Sequence, residues 1–309
     1  MISFASAIDP LRIANKLLGR SAFSYECASL DGKPVDSSCG FGIEESQSFD
    51  GSNRPDLVIV CSSDGVENLK GLDFLGGALR NMQRHGVQLG AICTGSYVLA
   101  KYGLIRDQTC AIHWEYLPVA KEMFPSVDFR AQIFSLDDNV MSAGGGTAPI
   151  DMMIKLIHDV AGVELAIEVA DIAIHSRERK SDDPQKAGVV SVIKQKDANL
   201  ARCLSLMEEN VEEPLSTSEI SAQVGISRRQ IERTFKRYLN TTPRRYYLDI
   251  RLDHASYLVR RTSMRIDQIT FATGFINSSH FSKAYLKKFG KTPSVDRKSL
   301  LLEFNTVFN

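Results

Sequence analysis

Residues 87–103 read VQLGAICTGSYVLAKYG. The first part is an apolar run without polar alternation, the pattern of a strand buried on both faces. The run stops at Cys93, and beyond Thr94 and Gly95 the apolar residues fall at helical spacing. A strand turning into a helix at a cysteine predicts an elbow that presents a thiol. Working outward, AFSYECASL (22–30), DLVIVCS (56–62), QTCAI (108–112) and NVMSA (139–143) also read as strands. DPLRIANKLL, VENLKGLDFLGGALRNMQRH and PIDMMIKLIHDVAGVELAIEVADIAI read as helices between them. This order predicts an α/β domain over residues 1–175, with a mostly parallel sheet covered by helices.

HSRERKSDDPQKAG (175–188) is charged, has no apolar period and holds a Pro and a Gly, so a linker is expected over 176–196. Beyond it, residues 197–309 read as an all-α domain. The 309-residue chain has a net charge of zero, but residues 201–309 carry 18 Lys and Arg against 11 Asp and Glu. A basic third on a neutral chain points to a polyanionic partner. The six cysteines lie singly, without metal-ligand spacing, so neither a zinc site nor a disulfide framework is expected, and no cofactor. No run approaches the roughly 18 apolar residues of a membrane span, and no leader opens the sequence, so the expected location is the cytoplasm.

PLSTSEISAQVGISRRQIERTFKRYLNTTP (214–243) and RIDQITFATGFINSSHFSKAYLKKFGKTP (265–293) share one layout: a short amphipathic helix, a glycine, a polar cap, and a longer basic helix ending in Thr-Pro. Ile231, Phe235, Leu239 and Pro243 recur 50 positions later as Phe281, Tyr285, Phe289 and Pro293. Ser216 with Glu219 and Ser227 with Gln230 have capping-box spacing, and Asn277 offers a cap in the second unit. Gly225 and Gly274 fall where a tight turn needs positive φ. Two helix-turn-helix units are therefore expected, joined by an amphipathic helix over 244–262. The second helix of each unit leaves Arg228, Arg229, Glu232, Arg233 and Lys236, or Ser278, Ser279, His280, Lys283 and Lys287, off its apolar face. Such side chains reach base edges and phosphates in a major groove, and a rigid spacer would set the two helices in successive grooves about 34 Å apart.

On GISRRQIERTFKRYLNTTPRRYY and ATGFINSSHFSKAYLKKFGKTP, this third resembles the AraC family of bacterial transcription regulators. The resemblance implies base reading by Arg229, Glu232 and Arg233 in the first unit, and by Ser278, Ser279, His280 and Lys283 in the second. Two short hydroxyls at 278 and 279 imply less direct reading by the second unit.

The thiol elbow has its own candidate partner. His113 ends the strand before CAIHWEYLPVAKEMFP continues, and Glu115 follows. A cysteine, a histidine and an orienting carboxylate would suit acyl transfer. The elbow and this histidine resemble the ThiJ/PfpI branch of the class I glutamine amidotransferase-like superfamily, across residues 1–175. FASAIDPLRIANKLLGR, SLDGKPVDSS, AIHWE and GGGTAPIDMMIKLI resemble the group that fuses this flavodoxin-like fold to an AraC domain and regulates amino-acid and quaternary-amine catabolism, including that of carnitine and glycine betaine. In that group an apolar strand precedes the segment matching ISFASAIDPLR; here either that strand is absent or another segment replaces it.

Catalysis is disfavoured by Ser62, Ser63 and Asp64 standing where the superfamily's enzymes often carry a Gly-rich oxyanion turn, and by Asp9 in place of a Glu. No catalytic residue is assigned, and Cys93 and His113 are treated as a candidate remnant. A small effector, a quaternary amine or an amino acid, is expected at the carboxyl ends of the strands among Ser62, Asp64, Cys93, Thr94, His113 and Trp114. Trp114 is the only tryptophan, and its ring could receive a cation or simply fill the core. SAGGGTAP (142–149) either offers N–H groups to a carboxylate or serves close packing. The expected function is a DNA-binding regulator, an activator of a catabolic operon, with double-stranded DNA, the effector, RNA polymerase and a second copy of the chain as partners. The alternative is a Cys-dependent hydrolase or amidotransferase carrying a DNA-binding domain.

Overall fold

The computed structural model describes all residues except 45–46, 69–71, 138–139, 176–178, 184, 186–196 and 300–309. Most of the expected linker, 176–196, therefore lies outside the described residues. The chain divides into two compact units, residues 1–185 and 186–309.

The first unit centres on a four-stranded sheet. Strands β5 (Leu57–Ser62), β6 (Gln88–Cys93) and β10 (Val140–Ala143) run parallel, and β9 (Phe134–Leu136) closes one edge antiparallel to β10. The central strand β6 is buried from Leu89 to Ile92, as its unalternating apolar run requires. On one face lie Leu79, Leu99, Ile112, Tyr116 and Phe129, and on the other Ala7, Phe134, Met152 and Met153. The covering helices are α1 (Ile2–Leu18), α2 (Leu72–Arg84), α3 (Gly95–Lys101), α4 (Leu117–Met123), α5 (Ala148–Ala161) and α6 (Val163–Ile172). This is the α/β arrangement that the alternating segments predict, and the flavodoxin-like fold that the resemblance implies.

Several local expectations need correcting. AFSYECASL is not a strand of the main sheet: only Ala28–Ser29 (β1) is extended and paired, with Gln47–Ser48 (β4). Tyr25 stands exposed. The helix expected from Asp9 begins at Ile2 and carries Pro10 inside it. The long helix expected from Pro149 is two helices, broken at Gly162. QTCAI does form a strand, β7 (Thr109–Ala111), but it pairs with β8 (Asp128–Arg130) in a separate two-stranded sheet.

In the second unit the described residues are helical: α7 (Ala198–Glu209), α8 (Thr217–Val224), α9 (Arg228–Leu239), α10 (Pro243–Arg261), α11 (Ile266–Ala272), α12 (Ser278–Phe289), and α13 over 293–299. Ile220, Ile231, Phe235 and Tyr247 close one core with Leu200, Leu204 and Met207 of α7. The 19-residue α10 runs between the two helix-turn-helix units, and at about 1.5 Å per residue spans roughly 28 Å. Among the described residues, no helix is long and apolar enough to cross a membrane.

Candidate sensor pocket and nucleic-acid interface

The two turns in the second unit use their glycines for different reasons. Gly225 has φ 77° and caps α8 through its N–H to Ser221 O, with open space where a Cβ would stand. Gly274 has φ 71°, and a Cβ there would lie 2.5 Å from Pro214 Cγ and 2.7 Å from Val211 O. The second turn is therefore pressed against the chain entering the first unit. Ser227 Oγ accepts the Gln230 N–H at 3.3 Å and Asn277 Oδ1 that of His280 at 2.8 Å, so each second helix starts on a side-chain cap.

Ile231 and Phe235 in α9, and Phe281 and Tyr285 in α12, are buried. Arg228, Arg229, Glu232, Arg233 and Lys236 are exposed on α9, and Ser278, Ser279, His280, Lys283 and Lys287 on α12. Arg229, Arg233 and Lys236 form an i, i+4, i+7 stripe, one cationic face. The second face is less free: Ser278 Oγ lies 3.5 Å from Thr270 Oγ1, and the His280 ring packs 5.6 Å from Phe275.

Asp296, in α13, is fully buried and was not singled out by sequence reasoning. Tyr285 Oη donates to it at 2.6 Å and Arg260 Nε at 3.1 Å, while Lys291 Nζ lies 2.9 Å away. Burial alone would raise its pKa, but the hydrogen bonds from Tyr285, Lys291 and Arg260 outweigh it and hold the carboxyl below its ordinary 3.8.

In the first unit, Cys93 is an elbow residue in backbone as well as in pattern: its φ is 61°, a left-handed conformation uncommon for a side-chain-bearing residue. Ser62 is its register partner on β5, and Thr94 Oγ1 donates to Ser63 O at 2.7 Å. The His113 N–H donates to Cys93 O at 3.4 Å, and Nδ1 of that ring lies 3.8 Å from Glu115 Oε2. The His113 and Trp114 rings are 5.6 Å apart. Ser62, Cys93, His113 and Trp114 thus gather at the carboxyl ends of the parallel strands, each partly exposed, with Asp64 exposed beside them. Thr94 differs: it is buried with its hydroxyl committed to Ser63, so it fixes the turn that leads from Ser62, at the end of β5, to Asp64.

Electrostatics disfavour a thiolate here. Burial pushes the Cys93 thiol up to about 11, against a smaller lowering by the Thr94 backbone N–H; neighbouring Cys61, Asp64 and Glu115 push it further up. The Gly-rich stretch is close packing: a Cβ on Gly145 would sit 3.0 Å from Cys93 Cβ, and one on Gly144 would collide with the Gln185 amide. A separate surface concavity, lined by Asp107, Lys121, Ser126 and Phe129, shares no residue with this site.

Two further features have no sequence signature. Asp151, in the first turn of α5, is buried and accepts from Arg179 Nη2 at 2.6 Å and Arg179 N at 3.1 Å, with His175 Nε2 at 2.9 Å. Gln185 lies in a stretch read as linker, yet its amide is fully engaged beside His113.

Residues 220–299 match the helix-turn-helix domain family, and residues 8–159 match the DJ-1/PfpI family. HTH-type transcriptional regulator GbdR of Pseudomonas aeruginosa is 39% identical over 298 residues, covering 96% of this chain and 81% of that protein. CdhR of the same species is 34% identical (98% of this chain, 90% of that one), and GlxA of Rhizobium meliloti 32% (97% and 93%); both are also named HTH-type transcriptional regulators. A solved AraC family transcriptional regulator from Pseudomonas putida covers 56% of this chain and 92% of its own at 29% identity, with a TM-score of 0.51.

Proposed function

Since the chain belongs to the HTH-type transcriptional regulators that join a DJ-1/PfpI domain to an AraC-type helix-turn-helix domain, and is a DNA-binding transcription regulator, we propose that its first unit binds a small cationic metabolite and thereby sets the activity of the second. One observation carries this reading: the elbow keeps the geometry of a nucleophile but withholds the ionisation, with Cys93 pushed to about 11. Binding without turnover suits such a site.

The lining indicates the ligand class. Asp64 and Glu115 add negative potential that Cys93 feels, and the half-buried indole of Trp114 stands beside them. An aromatic face with nearby carboxylates suits a quaternary ammonium or amino-acid-like amine. Ser62, Asp64, Cys93, His113 and Trp114 are the proposed contacts, with Thr94 holding the loop. The basic stripe of α9 supports DNA reading mainly through Arg229, Glu232 and Arg233, with Arg228 and Lys236 on phosphates. Ser278, Ser279, His280, Lys283 and Lys287 are proposed as the second, less discriminating contact. Activation through RNA polymerase, a homodimeric assembly, a cytoplasmic location and a boundary between sensor and DNA-binding domains within 176–196 complete the proposal.

The test is a thermal-shift screen of the full chain with carnitine, glycine betaine, dimethylglycine and arginine, followed by operator-driven transcription with any ligand that stabilises it. Stabilisation by one of these amines, weakened by Trp114→Ala and coupled to transcription, is the expected result. Stabilisation by none, or turnover lost in Cys93→Ser, would reject it.

A further inference from the structure

Gln185 is the last residue of the first unit, and the second unit begins in sequence at residue 186. Its side-chain amide has two N–H donors and one carbonyl acceptor, and main-chain groups meet all of them. Nε2 donates to Ile112 O at 2.8 Å and Gln132 O at 2.6 Å, and Oε1 accepts the Trp114 N–H at 2.9 Å. Its own backbone N–H donates to Ala131 O at 3.3 Å, and Ser181 O accepts the Ile133 N–H at 3.1 Å. Glycine at 144 leaves the space the amide fills.

We propose that these groups form a carboxamide-binding subsite, filled by the chain's own Gln185, and that this contact is the latch through which effector binding reaches the chain leading to the DNA-binding unit. The inference rests on the effector reading above and deepens it. The bonds to Ile112 O and Trp114 N bracket His113, whose own N–H holds the Cys93 elbow. A ligand that shifts the His113–Trp114 turn therefore changes two bonds to Gln185 together. Upstream, the same strap is held by Arg179 on the buried Asp151 carboxylate, a charge-assisted fixing. The neutral amide contact beside the pocket is the weaker of the two, so it yields first. The subsite selects an uncharged primary carboxamide, because the two carbonyl oxygens that accept its N–H groups would repel a carboxylate. A second ligand state then needs only a different affinity for the latched and released chain.

Full-length Gln185→Gly, Gln185→Ala and Gln185→Glu test this, with propionamide as the probe, since it supplies the atoms that the Gly variant lacks. Two readouts are followed without added amine: hydrogen exchange at the Trp114 amide, and operator-driven transcription. The Gly and Ala variants are expected to exchange Trp114 at least tenfold faster and to raise basal transcription several-fold. Propionamide should reverse both effects in Gln185→Gly, leave the wild type unchanged and fail to rescue Gln185→Glu. Unchanged Trp114 exchange in the Gly variant overturns the subsite, and faster exchange at unchanged transcription overturns the latch. Loss of the folded first unit in both the Gly and Ala variants would make Gln185 a structural staple, which also overturns it. If no amine stabilises the wild type, the effector reading fails while the propionamide arm still reports on the subsite. If amines do stabilise it and Trp114 exchange is unmoved by the substitutions, the subsite and the latch both fall while the effector reading stands.

Discussion

At pH 7.5, a thiol with a pKa near 11 is ionised in on the order of one molecule in several thousand. Cys93 should therefore alkylate slowly with iodoacetamide, its rate rising tenfold per pH unit until the pH approaches 11. Cys39 gives the internal contrast, being exposed with its pKa lowered by hydrogen bonding from Ser37. Peptide mass spectrometry after brief labelling is expected to find Cys39 modified well before Cys93. Cys93→Ser should keep effector-dependent transcription, because a hydroxyl replaces a neutral thiol at the same place. The sequence carried the elbow itself, since the switch from strand to helical spacing occurs at that residue. It carried nothing of the thiol's ionisation, which depends on burial and on Asp64 and Glu115, brought near by separate loops.

Two helices of matching pattern present their proposed DNA contacts from different local conditions. Arg233→Ala should cost binding and operator discrimination about 1–3 kcal/mol, whereas Ser279→Ala should leave discrimination nearly unchanged, as checked by electrophoretic titration of operator variants. The two turn glycines separate likewise. Gly225→Ala meets only the positive-φ strain, about 1 kcal/mol; Gly274→Ala adds a collision with Pro214 and Val211, about 1–3 kcal/mol more, measurable by urea unfolding. Asp296 ties α13 to α10 and α12, and its sign under acid follows from the lowered pKa. The stabilisation is fully present above the ordinary 3.8 and is lost as pH falls through the folded-state value. Urea melts between pH 3 and 6 should show that loss in the wild type, and a flatter acid limb with lower stability at pH 6 in Asp296→Asn. Caps and turns of this unit were legible because Ser216, Ser227 and Asn277 act on neighbours three residues away. Asp296 was not, because its partners Tyr285 and Arg260 are 11 and 36 residues distant. AFSYECASL misled for a related reason: a strand-like stretch has only the capacity to pair, and just Ala28–Ser29 found a partner, outside the main sheet.

Across the molecule, alternation of strands and helices followed by a duplicated helical motif was enough to foresee an α/β unit and an all-α unit. The anchoring of Arg179 and Gln185 was hidden, because the charges around them resemble a solvated linker until Asp151 and Gln132 are seen to hold them. Operator affinity should fall linearly with log salt, with a slope reduced by about one for each phosphate-contacting lysine removed, Lys236 and Lys287 being the first to try. The close seating of Gly274 on Pro214 and Val211 bears on the operator rather than on the protein. With no room between the second turn and the chain entering the first, the distance and rotation between α9 and α12 are built in. On the proposed contacts, the promoter should tolerate changed spelling at the half facing α12 better than changed spacing: one inserted base pair between the half-sites turns the second groove by roughly a tenth of a turn. Selection on such promoters would then act on phase before it acts on letters.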